Sequence, residues 1–137
     1  MIFISPAFAG WFSTLNNELT SLLTTTTHNV TFTGASASGA SGTTNIVYQF
    51  GKVVFVFLDF TVGSSSISAF TQFAKTDIPI SSAFEINVAI GVAQTGTSIQ
   101  NEYLRATKTS DGKLCFTSSV QLTASKRYRA SGAFIIP

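Results

Sequence analysis

The chain has 137 residues, a formal net charge of +2, only 10% charged residues against 45% hydrophobic ones, 13 Phe, and 37 Ser plus Thr. That length suits one domain with one core, and the wealth of aromatics with little charge excludes an intrinsically disordered chain. Scattered Lys and Arg give no stripe that tracks a phosphate backbone, and no run approaches the roughly 18 apolar residues of a membrane-crossing helix, so neither a nucleic-acid partner nor membrane insertion is expected.

Residues Met1 to Gly10 lack a basic start and a full apolar stretch, so they do not read as a secretory signal. Residues 5–23 predict a helix, with Ser5 as cap and Pro6 at the first helical position. Phe8, Phe12, Leu15, Leu19 and Leu22 follow at spacings of 4, 3, 4 and 3, a heptad seam of about two repeats. Trp11 and Leu23 widen the stripe, Asn16, Asn17 and Glu18 lie opposite, and Gly10 weakens the run. Two readings stay open: an amphipathic helix lying on its own domain, or the end of a coiled-coil stalk. Thr24 to Thr27 ends the helix, because four branched side chains favour extended chain.

From Val30 the period becomes two. Short strands are expected at Val30–Thr33, Asn45–Phe50, Val53–Val62, Phe84–Val92, Ile99–Thr107, Leu114–Leu122 and Ala130–Ile136. Gly51-Lys52 and Ser110-Asp111-Gly112-Lys113 read as hairpin turns, and Gly34–Thr44 and Gly63–Ser68 as loops. Asp77-Ile78-Pro79 reads as a turn or a strand edge, and Gln94 to Thr97 as a turn. The expected fold is mainly β, an antiparallel sandwich of jelly-roll type over 28–137, preceded by a helix or coiled-coil stub over 1–27.

One strand breaks the alternation of a sheet with a wet face. Val53, Phe55, Phe57 and Asp59 lie on one side, and Val54, Val56, Leu58 and Phe60 on the other. Both sides are apolar up to Asp59. A two-layer domain covers one of them, and wetting the other forfeits roughly 1.5–3 kcal/mol per large side chain. The expectation is therefore a homo-oligomer whose interface holds Phe8, Phe12, Leu15, Leu19, Leu22, Val53, Phe55 and Phe57. The alternative is the helix packed over this strand in the same chain.

The order of signals resembles a known family. Gly51-Lys52-Val53-Val54-Phe55-Val56 opens a strand, Ile78-Pro79 falls midway, and Leu104-Arg105-Ala106 precedes Asp111-Gly112-Lys113-Leu114. Ala130-Ser131-Gly132-Ala133-Phe134-Ile135 forms a last strand. Over residues 45–137, with the seam ahead of them, the chain resembles the C-terminal head domains of phage tail fibres and baseplate receptor-binding proteins. The resemblance implies a trimeric virion protein at the tail tip, extracellular after release, that binds host cell-surface saccharide without chemistry. It also implies contact with other tail or baseplate proteins through the N-terminus. The stalk departs from the pattern in being two heptads long. Trimeric jelly-roll heads of the C1q and tumour-necrosis-factor type share the look.

No catalytic signature emerges, and neither a cofactor nor a metal is expected. His28 is the sole histidine and Cys115 the sole cysteine, too few for a zinc site. His28 reads as a solvent-facing junction residue and Cys115 as an inert strand thiol. A glycosidase needs two facing carboxylates, and among Glu18, Asp59, Asp77, Glu85, Glu102 and Asp111 only Asp59 with Glu102 offers a pairing across strands. Asp59 otherwise reads as an ion-pair or hydrogen-bond acceptor. Asn29-Val30-Thr31 fits a glycosylation sequon, which matters only in a eukaryotic secretory setting. For ligand binding the candidates are Tyr103 and Arg105 on one strand face, and Arg127, Tyr128 and Arg129 in a cationic cluster after Lys126. Tyrosine stacks on sugar C–H faces, and arginine offers a planar fork to carboxylates and hydroxyls. The same cluster also reads as a solvated turn that keeps an apolar protein soluble. Tyr48 is expected in the core and Trp11 in the stalk.

Overall fold

A computed structural model describes residues 6–23, 25–39, 44–83, 85–88, 93–94 and 103–137. Pro6 opens helix α1 (Pro6–Leu23), where the amide that proline lacks would have had no partner anyway. The helix stops at the threonine run, and the chain becomes β1 (Thr25–Asn29). There follow β2 (Thr31–Phe32), β3 (Ala35–Ala37), β4 (Ile46–Phe50), β5 (Val53–Val62) and β6 (Gln72–Pro79). The remaining described strands are β7 (Glu85–Val88), β8 (Ala93–Gln94), β9 (Leu104–Lys108), β10 (Lys113–Ser118) and β11 (Arg127–Ile135).

These strands make two antiparallel sheets. One has the order β1-β4-β5-β11-β8, with β3 also on β5; the other has the order β2-β6-β10-β9-β7. Strand β5 is the axis of the first sheet. It pairs β11 from Val53–Ile135 to Thr61–Arg127, while β4 takes Val53 to Phe57 and β3 takes Phe60 to Val62. The β4–β5 hairpin turns at Gly51, whose φ of 54° suits glycine, and the β9–β10 hairpin turns at Gly112 with φ 82°. Strand β1 continues through Val30 into β2, so one stretch of chain leaves the first sheet and joins the second.

The two sheets share one core, as the layers of a β-sandwich do. Its inner faces contribute Val54, Val56, Leu58 and Phe60 from one sheet and Phe73, Ile78, Leu104, Leu114 and Phe116 from the other. Phe60 is the hub: its ring lies 5.0 Å from Phe73, 5.2 Å from Phe32 and 5.8 Å from Tyr128. Tilted or offset rings at such distances add to area burial.

Several expectations are corrected. Strand β6 occupies residues where only a turn or strand edge at its end was expected; Lys75 and Asp77 alternate with buried Thr76 and Ile78, a pattern weak in apolar residues. The expected loop at Gly34–Thr44 contains β3. Strand β11 begins at Arg127 and not at Ala130, because Tyr128 is a core residue of that strand. Tyr48 is half-buried, on the outer side of β4 with its ring edge to Phe57, and is not in the core. Of the strands expected at Phe84–Val92 and Ile99–Thr107, residues 84, 89–92 and 99–102 lie outside the described residues; β7 and β9 occupy the described parts.

Helix α1 does not lie down on the domain. Residues 6–20 are all exposed, with Trp11 and Phe12 each at 58%. The helix meets the sheets mainly near β4. The intramolecular roof over β5 is thus ruled out, and Phe8, Phe12, Leu15 and Leu19 form an uncovered apolar stripe. The side chain of Leu22 lies outside the described residues.

Candidate functional site

Cross-strand register sorts the outer face of the first sheet into rows. The row nearest the β4–β5 turn holds Thr25, Phe50, Val53 and Ile135. The next holds Thr27, Tyr48, Phe55 and Ala133, and the third Asn29, Ile46, Phe57 and Ser131. Beyond it the chemistry changes: Asp59 stands opposite Arg129, and Thr61 opposite Arg127. The face is apolar where α1 joins the sheet and charged at its other end, about 20 Å away at the usual strand rise. Val53, Phe55 and Phe57 remain 37–39% exposed, held by edge contacts such as Phe50–Phe55 at 6.0 Å. Sequence alternation had assigned these side chains to this side, and the structure places them there.

At the charged end Asp59 is only 4% exposed although it faces outward. Arg127 donates from Nε and Nη2 to its two carboxylate oxygens at 2.8 and 2.7 Å, and Arg129 Nε donates at 3.2 Å. The Arg127 hydrogen bonds hold the Asp59 carboxyl below its ordinary value; burial opposes this, and the charges of Arg127 and Arg129 reinforce it. Gly39, with φ 79°, lies against the same carboxylate: a Cβ there would come 2.8 Å from Asp59 Oδ2. Asn45, itself left-handed at φ 59°, donates from Nδ2 to Asp59 O at 2.7 Å and accepts from Asp59 N at 2.9 Å. The expected ion pair of Asp59 is therefore present, and it fixes two arginines that were expected in a turn. Neither Asn45 nor Gly39 carries a sequence signal that would have marked it as a support of this cluster.

The five expected ligand residues do not converge. Arg105 lies on β9 of the second sheet and Tyr103 just before that strand, both half-buried. Arg105 is already engaged, by Glu85 at 2.5 Å and by the Phe70 ring, whose centroid lies 5.1 Å from the guanidinium carbon. Tyr128 is removed from any surface site: it is 2% exposed, stacks on Phe60, and its hydroxyl accepts from Thr123 N at 2.8 Å. Arg127 and Arg129 remain together on the first sheet.

His28 departs from its expected solvent-facing place. It lies on the inner side of β1, its side chain 13% exposed. Nδ1 is 2.6 Å from Asp77 Oδ1 and Nε2 is 2.8 Å from Gln49 Oε1. Gln49 Nε2 donates to Gly51 O at 2.9 Å, which turns its oxygen toward the ring. The histidine bridges the two sheets and leaves neither nitrogen for a nucleophile. Cys115 is fully buried, and desolvation pushes its thiol up to about 11. Glu102, the expected partner of Asp59 in a carboxylate pair, lies outside the described residues. Among the described residues no three of His, Cys, Asp and Glu gather.

No protein-family model matches the chain, and neither a curated protein nor a solved structure matches it.

Proposed function

We propose that this chain is the non-enzymatic receptor-binding head of a phage tail fibre or baseplate, a homotrimer of jelly-roll-like sandwiches. In this reading it sits at the tail tip and binds host cell-surface saccharide. The observation that carries the reading is the divided outer face of the first sheet. An uncovered apolar surface of Val53, Phe55, Phe57 and Ile135 lies at the end where the uncovered stripe of α1 joins the domain. Copies that associate through both surfaces remove them from water together, and each large side chain so buried contributes roughly 1.5–3 kcal/mol. The charged end then points away from the stalk. Three weak sites on one rigid body, repeated over a particle, raise avidity by orders of magnitude without new contacts. The N-terminal segment joins other tail or baseplate proteins.

Light scattering tests the assembly: the expected mass is three times the 14.5 kDa of one chain, and a monomer stable at high concentration removes the reading. Binding of the full chain to a glycan array tests the ligand. One observation favours a structural virion component without a ligand: Arg105 is already held by Glu85 and Phe70, and Tyr128 is core. Silence on the array from an intact trimer selects that second reading.

A further inference from the structure

The geometry points to the oxyanion of an acidic saccharide, its carboxylate or phosphate, as the group bound by Arg129 at the charged end of the first sheet. This rests on the saccharide-binding reading above and names the class of sugar and the residue that reads it. Three cations fall there within four residues, Lys126, Arg127 and Arg129, and among the described residues the carboxylate they meet is that of Asp59, paired with both arginines. The two arginines differ in what they have left to give. Arg127 spends Nε and Nη2 on a two-pronged hold of Asp59. Arg129 spends only Nε, is 60% exposed, and its two terminal nitrogens make no hydrogen bond among the described residues. A guanidinium oriented through Nε by a buried acid, with its remaining N–H groups in solvent, meets an oxyanion at reduced entropic cost. Lys126, exposed on the turn that leads into β11, adds positive charge at this end of the sheet. Asp59 is the positioning residue: Asn45 grips its backbone and Gly39 closes over its carboxylate. The buried acid fixes direction and the exposed base supplies recognition. Neutral sugars gain less from this arrangement, because a hydroxyl can accept a guanidinium hydrogen bond but brings no charge to balance the cations.

The test is retention of the full chain on three immobilised polymers: polygalacturonate, a phosphomannan and neutral dextran. Wild type is expected on one or both acidic polymers, released by added salt, and not on dextran. Which acidic polymer retains it tells carboxylate from phosphate. Arg129→Gln is expected to weaken retention about tenfold, the loss of a charged hydrogen-bond donor. Arg129→Lys, which keeps the charge but not the fork, should fall between. Both variants keep the Arg127–Asp59 pair, and melting curves near that of wild type verify the fold. Equal retention of wild type and Arg129→Gln overturns the inference. So does a larger loss in Arg105→Ala than in Arg129→Gln, although saccharide binding then stands at another place. Retention on dextran alone overturns the inference and keeps a neutral-sugar receptor. No retention on any polymer overturns the inference, and silence on the glycan array as well would remove the saccharide-binding reading.

Discussion

His28 Nδ1 and Asp77 Oδ1 stand 2.6 Å apart, and through them the edge strand β1 of one sheet is tied to β6 of the other. The hydrogen bond to His28 holds the Asp77 carboxyl below its ordinary value, with a smaller contribution from the charges of His28 and Lys113. A depressed carboxylate stabilises the fold above its unfolded value, near 3.9, and that contribution is lost as pH falls through the lower folded value. Asp77→Asn should therefore melt below wild type at neutral pH and converge on it as the solution is acidified below about pH 4. Melting temperatures of the two proteins across that range check it; a constant gap would assign the effect to packing.

Asp59→Asn leaves two guanidinium groups around a neutral amide on a nearly buried site. Breaking a buried pair costs about 3–5 kcal/mol, but Arg127 and Arg129 are partly in water, so about 2 kcal/mol is expected. Urea unfolding of wild type and variant measures it. Replacing Arg129 alone should cost under about 1 kcal/mol, since its exposed side chain is rehydrated.

Asn45 separates backbone conformation from hydrogen bonding. Asn45→Gly keeps φ 59° accessible and loses the two bonds to Asp59, a cost of about 1–2 kcal/mol. Asn45→Ala loses both and strains the backbone, about 2–3 kcal/mol. The two variants unfolded side by side should rank in that order.

Phe57→Glu puts a charge on the outer face without touching the inner one, where Val56 and Leu58 are buried. If copies meet there, the variant should sediment as a monomer while its far-ultraviolet spectrum stays that of a β protein. Phe60→Glu on the opposite side should abolish folding altogether, because Phe60 is fully enclosed by Phe32, Phe73 and Tyr128.

The Cys115 thiol should be inert to aromatic disulfide reagents in the native state. It is fully buried and ionises only near 11, so at pH 8 about one thiol in a thousand is thiolate, even before access is counted. Labelling should follow global unfolding and accelerate in urea in step with it.

Legibility in the sequence followed the strength of periodic burial. Strand β5 was readable because Val54, Val56, Leu58 and Phe60 mark an inner face with nothing polar in it, and the β9–β10 hairpin because Asp-Gly demands its turn. Strand β6 was not, since its face mixes Ala74 and Thr76 with Phe73 and Ile78, and its pairing with β10 slips register twice. The start of β11 was hidden by its own cations: Lys126-Arg127-Tyr128-Arg129 reads as a solvated turn until the buried Asp59 that holds two of them is placed opposite. That partner lies 68 residues away from Arg127, beyond the reach of any local pattern. The same distance hid the bridge from His28 to Asp77, which are 49 residues apart.

The β5–β11 ladder joins residues separated by 66 positions at Thr61–Arg127 and by 82 at Val53–Ile135. The longest described strand thus stays open along one side until most of the polypeptide has been synthesised. During that interval Val54, Val56 and Phe60 are a sticky template for any extended neighbour. Distant pairing of this kind folds slowly. Newly made chains should therefore depend on a helper that shields bare strands, or on cool growth, far more than the folded protein does.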